Sequence, residues 1–169
     1  LLYGPPKIGK TTLSSGFPSS LFLVTEYNHD HVAVDLTKIS TWEAFKRTTD
    51  ALCRGKNKGV YKTLIIDTVD MLFSHCTDFV CSKLGISHIS DTEWGKSYDI
   101  LGNEFDDVVN KLFLSDYGLI FLSHTKMVDQ ANTVRTINKV MPTLQARLRR
   151  SLLPKVALIG YLHAKEVQV

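Results

Sequence analysis

The sequence predicts a single α/β domain built as a three-layer α/β/α sandwich around a mainly parallel sheet. Short, unbroken apolar runs of the kind found in buried parallel strands occur at residues 21–24, 64–66 and 119–122. Stretches with apolar residues at helical spacing separate these runs, and such alternation implies parallel pairing with right-handed crossovers. A length of 169 residues with 44% hydrophobic content suits one domain with a sizeable core.

The first half of the chain contains three predicted strands and two predicted helices. Residues 1–3 resemble the end of a buried strand, and Thr41 can cap a helix that has an acidic residue in its first turn. The elements are, in order, the strand ending at residue 3, a helix beginning at Thr12, the strand 21–24 followed by Glu26, a short edge strand within 28–40, and a helix with Trp42, Phe45, Thr49 and Leu52 on its inner face.

The second half continues the alternation. The predicted elements are a strand over 61–66 ending at Asp67, a helix over 69–84 ended by Gly85, a loop over 86–96, a helix over 97–114, a strand over 119–122 ending at His124, a hairpin within 126–140, a basic helix over 143–153 that stops before Pro154, and a last strand over 156–162. In open α/β sheets ligands bind at the carboxyl ends of the strands. The polar residues at those ends therefore predict a binding site.

Residues 4–11, with the sequence GPPKIGKT, match the phosphate-binding pattern G-x-x-x-x-G-K-[ST] between a predicted strand and a predicted helix. Backbone N–H groups of such a loop surround a polyphosphate, Lys10 reaches the β and γ phosphates, and the Thr11 hydroxyl holds Mg²⁺. A glycine-proline turn that matches by chance is the alternative. The predicted ATP-binding residues are Gly4, Pro5, Pro6, Lys7, Ile8, Gly9, Lys10, Thr11 and Thr12.

Asp67 follows a predicted buried strand and comes after the loop in sequence, which is the arrangement of a Mg²⁺-coordinating aspartate in nucleotide-binding proteins. Thr11 and Asp67 are thus the predicted metal ligands. The alternative is that Asp67 only caps the helix that begins near Val69.

Glu26 is the predicted general base. Many ATPases with this loop place the water-activating glutamate directly after the metal-binding aspartate, but this chain has Thr68 there. Glu26, at the end of the preceding strand, is positioned to orient and deprotonate the attacking water. A solvated turn glutamate is the alternative.

His124 ends the strand predicted to lie beside that of Asp67. This position suits a side chain that hydrogen-bonds the γ-phosphate or the attacking water and reports hydrolysis to segment 126–140. We assign no function to the other histidines, which are His29, His31, His75, His88 and His163.

The charge distribution is uneven. The net charge is +3, yet residues 1–125 carry 12 Lys and Arg against 15 Asp and Glu, whereas residues 126–169 carry 8 against 2. A polyanionic partner such as single-stranded DNA and a solvated basic face are both compatible with this pattern. Residues 126–155 lack the aromatic side chains that single-strand binders use for stacking. The nucleic-acid candidates are Lys126, Arg135, Lys139, Arg147, Arg149 and Arg150.

Three cysteines, Cys53, Cys76 and Cys81, have no metal-ligand spacing, and their odd number argues against a disulfide framework. The sequence shows no apolar window long enough to cross a membrane and no signal peptide. We therefore expect an intracellular protein with buried thiols.

The four strand-end motifs, together with Trp94-Gly95-Lys96 before the long helix, resemble the RecA-like ATPase core. The likeness is strongest to phage-type AAA ATP-binding proteins that are similar to single-strand annealing recombinases, and it covers nearly the whole chain. It implies Mg²⁺-dependent ATP hydrolysis, with Glu26, Lys10 and His124 as the catalytic residues. It also implies single-stranded DNA as partner, assembly into rings or filaments, a role in recombination, and the cytoplasm of a bacterial or phage-infected cell.

Two features depart from the family pattern. Lys7 stands where many phosphate loops have glycine. Relatives also continue past the last strand into a basic segment that reaches a neighbour's nucleotide, for which Lys165 is a poor substitute. The chain starts at Leu1, three residues before the loop, so we expect it to be truncated at both ends. We also expect the isolated fragment to bind ATP but to hydrolyse it slowly.

Two other functions remain open at this point. A small-molecule kinase would need an arginine-bearing lid, for which the basic helix 143–153 could be mistaken. A nucleotide-gated assembly module would bind ATP without significant turnover.

Overall fold

Six parallel strands form the central sheet of the computed structural model, which describes residues 1–26, 33–54, 59–92, 95–131 and 136–164. The sheet has the order β3-β2-β4-β5-β1-β8 and is flanked by helices, while β6 and β7 pair separately as an antiparallel hairpin. The predicted α/β fold is thus confirmed. The elements are β1 (Leu2–Tyr3), α1 (Lys10–Ser15), β2 (Ser20–Val24), β3 (Asp35–Lys38), α2 (Trp42–Arg54), β4 (Thr63–Asp67), α3 (Val69–Leu84), α4 (Lys96–Phe113), β5 (Gly118–Ser123), β6 (Thr125–Ala131), β7 (Thr136–Pro142), α5 (Ala146–Leu152), a 3₁₀ turn (Leu153–Lys155) and β8 (Gly160–Tyr161).

The strand order brings the predicted functional residues to one edge of the sheet. Strand β5 lies between β4 and β1, and β2 lies on the other side of β4. Val24 pairs with Asp67, and Asp67 pairs with Leu122, so these parallel strands end together. The loop, Glu26 and His124, which follow β1, β2 and β5, therefore meet at the carboxyl edge beside Asp67.

The two faces of the sheet differ in how much apolar surface they bury. Alternate residues of β2, β4 and β5 face the larger core, which helices α2 to α5 complete. There the Trp42 ring stacks on Phe105 with centroids 5.6 Å apart, and Phe73 meets Phe105 edge-on at 5.1 Å. The intervening strand residues form a smaller cluster on the opposite face, which consists of Phe22, Val24, Ile65 and Leu122.

Helix ends follow the predicted capping signals. The Thr41 hydroxyl accepts a hydrogen bond from the backbone N–H of Ala44 at 3.2 Å, and Gly85 ends α3 with a φ of 66°. The residue that caps α3 is Thr68, whose hydroxyl accepts from Met71 N at 3.5 Å. Asp67 therefore is not the cap, and the capping alternative for this aspartate is wrong.

The C-terminal elements are shorter than predicted. Helix α5 begins at Ala146 because Thr143 N donates to His124 O at 2.9 Å and ties this segment to the base of the hairpin. The helix ends at Leu152, before Pro154 as predicted, and Pro154 lies in the 3₁₀ turn that follows. The last strand spans only Gly160–Tyr161, which pair with Leu2 and Tyr3 of β1. The edge strand expected within 28–40 is β3.

Some predicted residues lie outside the described residues, namely Arg135, Trp94, Lys165 and residues 28–32. None of the described helices is long and apolar enough to cross a membrane.

Candidate nucleotide site

The phosphate loop joins β1 to α1 through two residues in the left-handed backbone region. Gly9 has a φ of 96°, which glycine adopts without steric cost. Lys7, the departure noted in the sequence, has a φ of 62°, a conformation that costs a residue with a Cβ roughly 1–2 kcal/mol. A Cβ on Gly4 would lie 2.7 Å from the carbonyl oxygen of Leu162, so glycine is required there by close backbone approach.

Lys10 is buried, and its ammonium lies against the loop that precedes it. Nζ donates to the carbonyl oxygens of Gly4 and Pro5, each at 2.9 Å. Burial lowers the pKa of Lys10, while the negative charges of Asp67, Glu26 and Asp70 oppose that shift. The carboxylates thus lie near enough to Lys10 to act on it electrostatically.

Thr11 and Asp67 form a pair suited to Mg²⁺. Thr11 Oγ1 donates to Asp67 Oδ2 at 2.9 Å, and Asp67 is buried at the end of β4. Neighbouring oxygen ligands of an octahedral Mg²⁺ at 2.0–2.1 Å lie about 2.9 Å from each other, so the observed separation fits joint coordination. The described residues hold no cluster of three or more His, Cys, Asp or Glu that could bind a metal. Mg²⁺ ordinarily takes only one or two protein ligands, together with phosphates and waters.

Glu26 is held by the end of the neighbouring strand. Thr68 Oγ1 donates to Glu26 Oε1 at 2.6 Å. The residues on either side of this contact are bonded as well, since Thr25 N donates to Asp67 O at 2.8 Å and Thr68 N donates to Thr25 Oγ1 at 2.9 Å. These contacts therefore fix the position of Glu26 relative to Asp67.

His124 links this edge of the sheet to the hairpin. Its Nε2 lies 3.4 Å from Glu26 Oε1 and 3.5 Å from Oε2. Its backbone N–H donates to Asp70 Oδ2 at 3.2 Å, and its carbonyl accepts from Thr143 N at 2.9 Å. The His124 ring thus contacts the predicted base, while its backbone is bonded to α3 and to the segment that follows β7.

Three residues that hold the site together were not predicted from the sequence, namely Asp70 and the pair Thr25 and Thr68. Asp70, in the first turn of α3, holds the His124 backbone with Oδ2, while its buried Oδ1 has no hydrogen-bond partner among the described residues. Its position three residues after Asp67 was the available signal. Thr25 and Thr68 were the second omission, because the bonds between them depend on the pairing of β2 with β4.

The described basic candidates lie on three elements, namely the hairpin strands β6 and β7 and helix α5. Lys126 and Lys139 are exposed on β6 and β7, on the same hairpin face, because Val128 pairs with Lys139. Arg147 is turned toward α4, where Nη1 lies 3.4 Å from Asp99 Oδ1 and the guanidinium lies over Gly102. Arg149 and Arg150 follow on α5, the former half-buried and the latter exposed.

The phosphate loop with its buried lysine, the Thr11–Asp67 pair and the parallel sheet define a nucleotide-binding domain of the P-loop ATPase class. Comparison with known protein families agrees with this class, because the family model for the AAA domain matches residues 1–168. The chain belongs to the AAA domain family.

A relative of this chain is the SPbeta prophage-derived uncharacterized protein YorG of Bacillus subtilis strain 168. It is 30% identical over 130 residues, which make up 73% of this chain and 39% of that protein. The chain thus spans about two fifths of the length of this relative, and the similarity places it with a phage-derived protein.

Proposed function

We propose that this domain binds Mg²⁺-ATP at residues 4–12 and hydrolyses it, with Glu26 as the general base. The observation that carries the proposal is the meeting of Glu26, the Thr11–Asp67 pair and buried Lys10 at one sheet edge. A nucleotide-binding turn by itself would not require a carboxylate tethered beside the metal pair.

Each group has a distinct part in the reaction. Lys10 and the loop N–H groups bind the phosphates, and Thr11 and Asp67 would hold a Mg²⁺ ion that would supply positive charge to the phosphates when bound. Glu26 orients a water molecule and takes its proton as the water oxygen bonds to the γ-phosphorus. The bond to the β–γ bridging oxygen breaks, and ADP leaves with the electron pair.

His124 is proposed to communicate the state of the γ-phosphate. Its Nε2 lies within 3.5 Å of both Glu26 oxygens, and β6 begins at the next residue. A change in the hydrogen bonding of this ring is therefore transmitted to the start of the hairpin.

We further propose single-stranded DNA as the stimulating partner of a phage or bacterial recombination ATPase that assembles into rings or filaments. Exposed Lys126 and Lys139 on the hairpin, together with Arg150 on α5, supply positive charge for phosphates. Arg147 contributes less in this account because it pairs with Asp99.

ATP turnover with and without single-stranded DNA tests the proposed function. We expect turnover that DNA stimulates and that Glu26→Gln lowers by roughly 10²- to 10⁴-fold, leaving a residual rate. The matched control is Glu43→Gln, which makes the same change at an exposed glutamate in the first turn of α2. Transfer of phosphate to a small acceptor would identify a kinase, and tight ATP binding without turnover would identify an assembly module.

Salt dependence tests the DNA partner separately. The affinity should fall as salt rises, and replacing Lys126 and Lys139 by Ala should reduce the slope of log K against log salt by roughly 0.7 for each phosphate that the protein no longer neutralises. Lys62→Ala is the control, because this exposed lysine directly precedes β4 and so lies at the amino edge of the sheet, away from the carboxyl edge where the hairpin begins. An affinity independent of salt would exclude this partner.

A further inference from the structure

We propose that Thr68 is the positioning residue of Glu26, and that it assigns Glu26 Oε2 as the oxygen that accepts the proton. This inference rests on the proposed function. It concerns the residue directly after the metal-binding aspartate, where other ATPases of this class carry the base itself.

Thr68 is itself rigidly held. It is 1% exposed, its N–H donates to Thr25 Oγ1 at 2.9 Å, and the Thr25 hydroxyl donates to Thr68 O at 3.0 Å. Together with the bond from Thr25 N to Asp67 O, these contacts form the threonine clasp, which joins the ends of β2 and β4. The clasp fixes the Thr68 hydroxyl relative to Asp67.

The hydroxyl has one hydrogen to donate, and its contact with Glu26 is the shorter of its two bonds. The distance to Glu26 Oε1 is 2.6 Å, whereas Met71 N lies at 3.5 Å from Thr68 Oγ1. Hydrogen bonds to a charged carboxylate are short and strong in this way. Helix capping explains the weak bond that Thr68 accepts but not the strong one that it donates.

Tethering one carboxylate oxygen determines the role of the other. Glutamate has three rotatable side-chain bonds, and a mobile carboxylate would seldom point at the attacking water. Thr68 engages Oε1 at 2.6 Å, whereas His124 Nε2 lies almost equally far from both oxygens, 3.4 Å from Oε1 and 3.5 Å from Oε2, and so does not distinguish them. Oε2 is therefore the oxygen left to receive the proton.

The test compares kcat and KM for ATP in Thr68→Val and Thr68→Ser. Valine keeps the shape but loses the hydroxyl, so kcat should fall roughly 10- to 100-fold while KM stays within about twofold. Serine keeps the donor and should restore most of kcat. Thr49→Val is the control, because it removes a buried hydroxyl that has no hydrogen-bond partner among the described residues and lies in α2.

A double variant separates positioning from helix capping. If Thr68 acts through Glu26, Thr68→Val should lower kcat no further in a Glu26→Gln background. A wild-type kcat in Thr68→Val, or an equal loss in both backgrounds, overturns this inference and leaves the proposed hydrolysis intact. Absence of ATP turnover in the wild type overturns the proposed function and this inference with it.

Discussion

Thr11 and Asp67 lie 56 positions apart in the chain, yet Thr11 Oγ1 donates a 2.9 Å hydrogen bond to Asp67 Oδ2. The bond joins the first turn of α1, the helix that follows β1 and the phosphate loop, to β4, which is the second strand from β1 in the sheet. Strand β5 lies between β1 and β4, and α1, which follows β1, packs against β5 so that Thr11 reaches the end of β4.

Thr11→Val should raise the Mg²⁺ concentration needed for half-maximal ATP binding by about 10- to 100-fold, because one of two protein oxygens is removed. Thr11→Ser should stay near wild type because it keeps the hydroxyl. Titration of Mg²⁺ against binding of a fluorescent ATP analogue measures the effect. Equal Mg²⁺ requirements for the valine and serine variants would show that Thr11 is not a ligand.

Lys10 should make folding stability depend on alkaline pH. Burial lowers its pKa in the folded protein, so between that pKa and the value of about 10.4 in an unfolded chain, the unfolded state binds more protons. The contribution of this group therefore rises with pH across that window. Urea unfolding should show that the free energy of unfolding of the wild type, relative to that of Lys10→Met, increases as the pH rises.

The control for the lysine experiment is Lys38→Met, which replaces an exposed lysine on β3. Its stability relative to wild type should not change over the same pH range. Parallel curves for wild type and Lys10→Met would contradict the lowered pKa.

His124→Ala should uncouple DNA from hydrolysis. We expect ATP affinity within about threefold of wild type, because Lys10 and the loop hold the phosphates, and a ratio of DNA-stimulated to basal turnover that falls toward one. The backbone bonds of His124 to Asp70 and Thr143 do not depend on its side chain. An unchanged ratio would remove the proposed link to the hairpin, and exposed His88→Ala serves as control.

Phe105→Ala should test the packing of the helical layer independently of the site. Phe105 is 1% exposed and contacts both Trp42 and Phe73, so its truncation should cost about 3–5 kcal/mol in the free energy of unfolding. Leu114→Ala, at a residue 88% exposed, should change it by less than about 0.5 kcal/mol. Similar urea midpoints for the two variants would contradict the assigned core.

Much of the fold was predictable because it depends on local patterns. Apolar runs identified the strands β2, β4 and β5, and helical spacing with Gly85 gave the bounds of α3 as they are observed. The loop, Glu26, Asp67 and His124 each follow or end a predicted strand. Their proximity was predictable because parallel strands share one carboxyl edge. The bounds of β8 differ from the prediction, because the apolar run 156–162 extends beyond the two residues that pair with β1.

The hydrogen bonds that connect the site residues depend on tertiary structure and could not be predicted from the sequence. Thr25 and Thr68 have no pattern that distinguishes them from other threonines, and their mutual bonds arise only from the register of β2 against β4. Asp70 resembles an ordinary acidic residue in a first helical turn. Its contact with His124 depends on how α3 leaves the sheet next to β5.

The nucleotide recovered with the Glu26→Gln protein tests the central claim most directly. After incubation with γ-labelled ATP and Mg²⁺, the wild type should yield ADP and free phosphate. The variant should retain intact ATP, because Lys10, Thr11 and Asp67 still bind it while the general base is absent. Recovery of ADP at the wild-type rate from the variant would contradict the assignment of Glu26, and failure of both proteins to retain nucleotide would contradict the site itself.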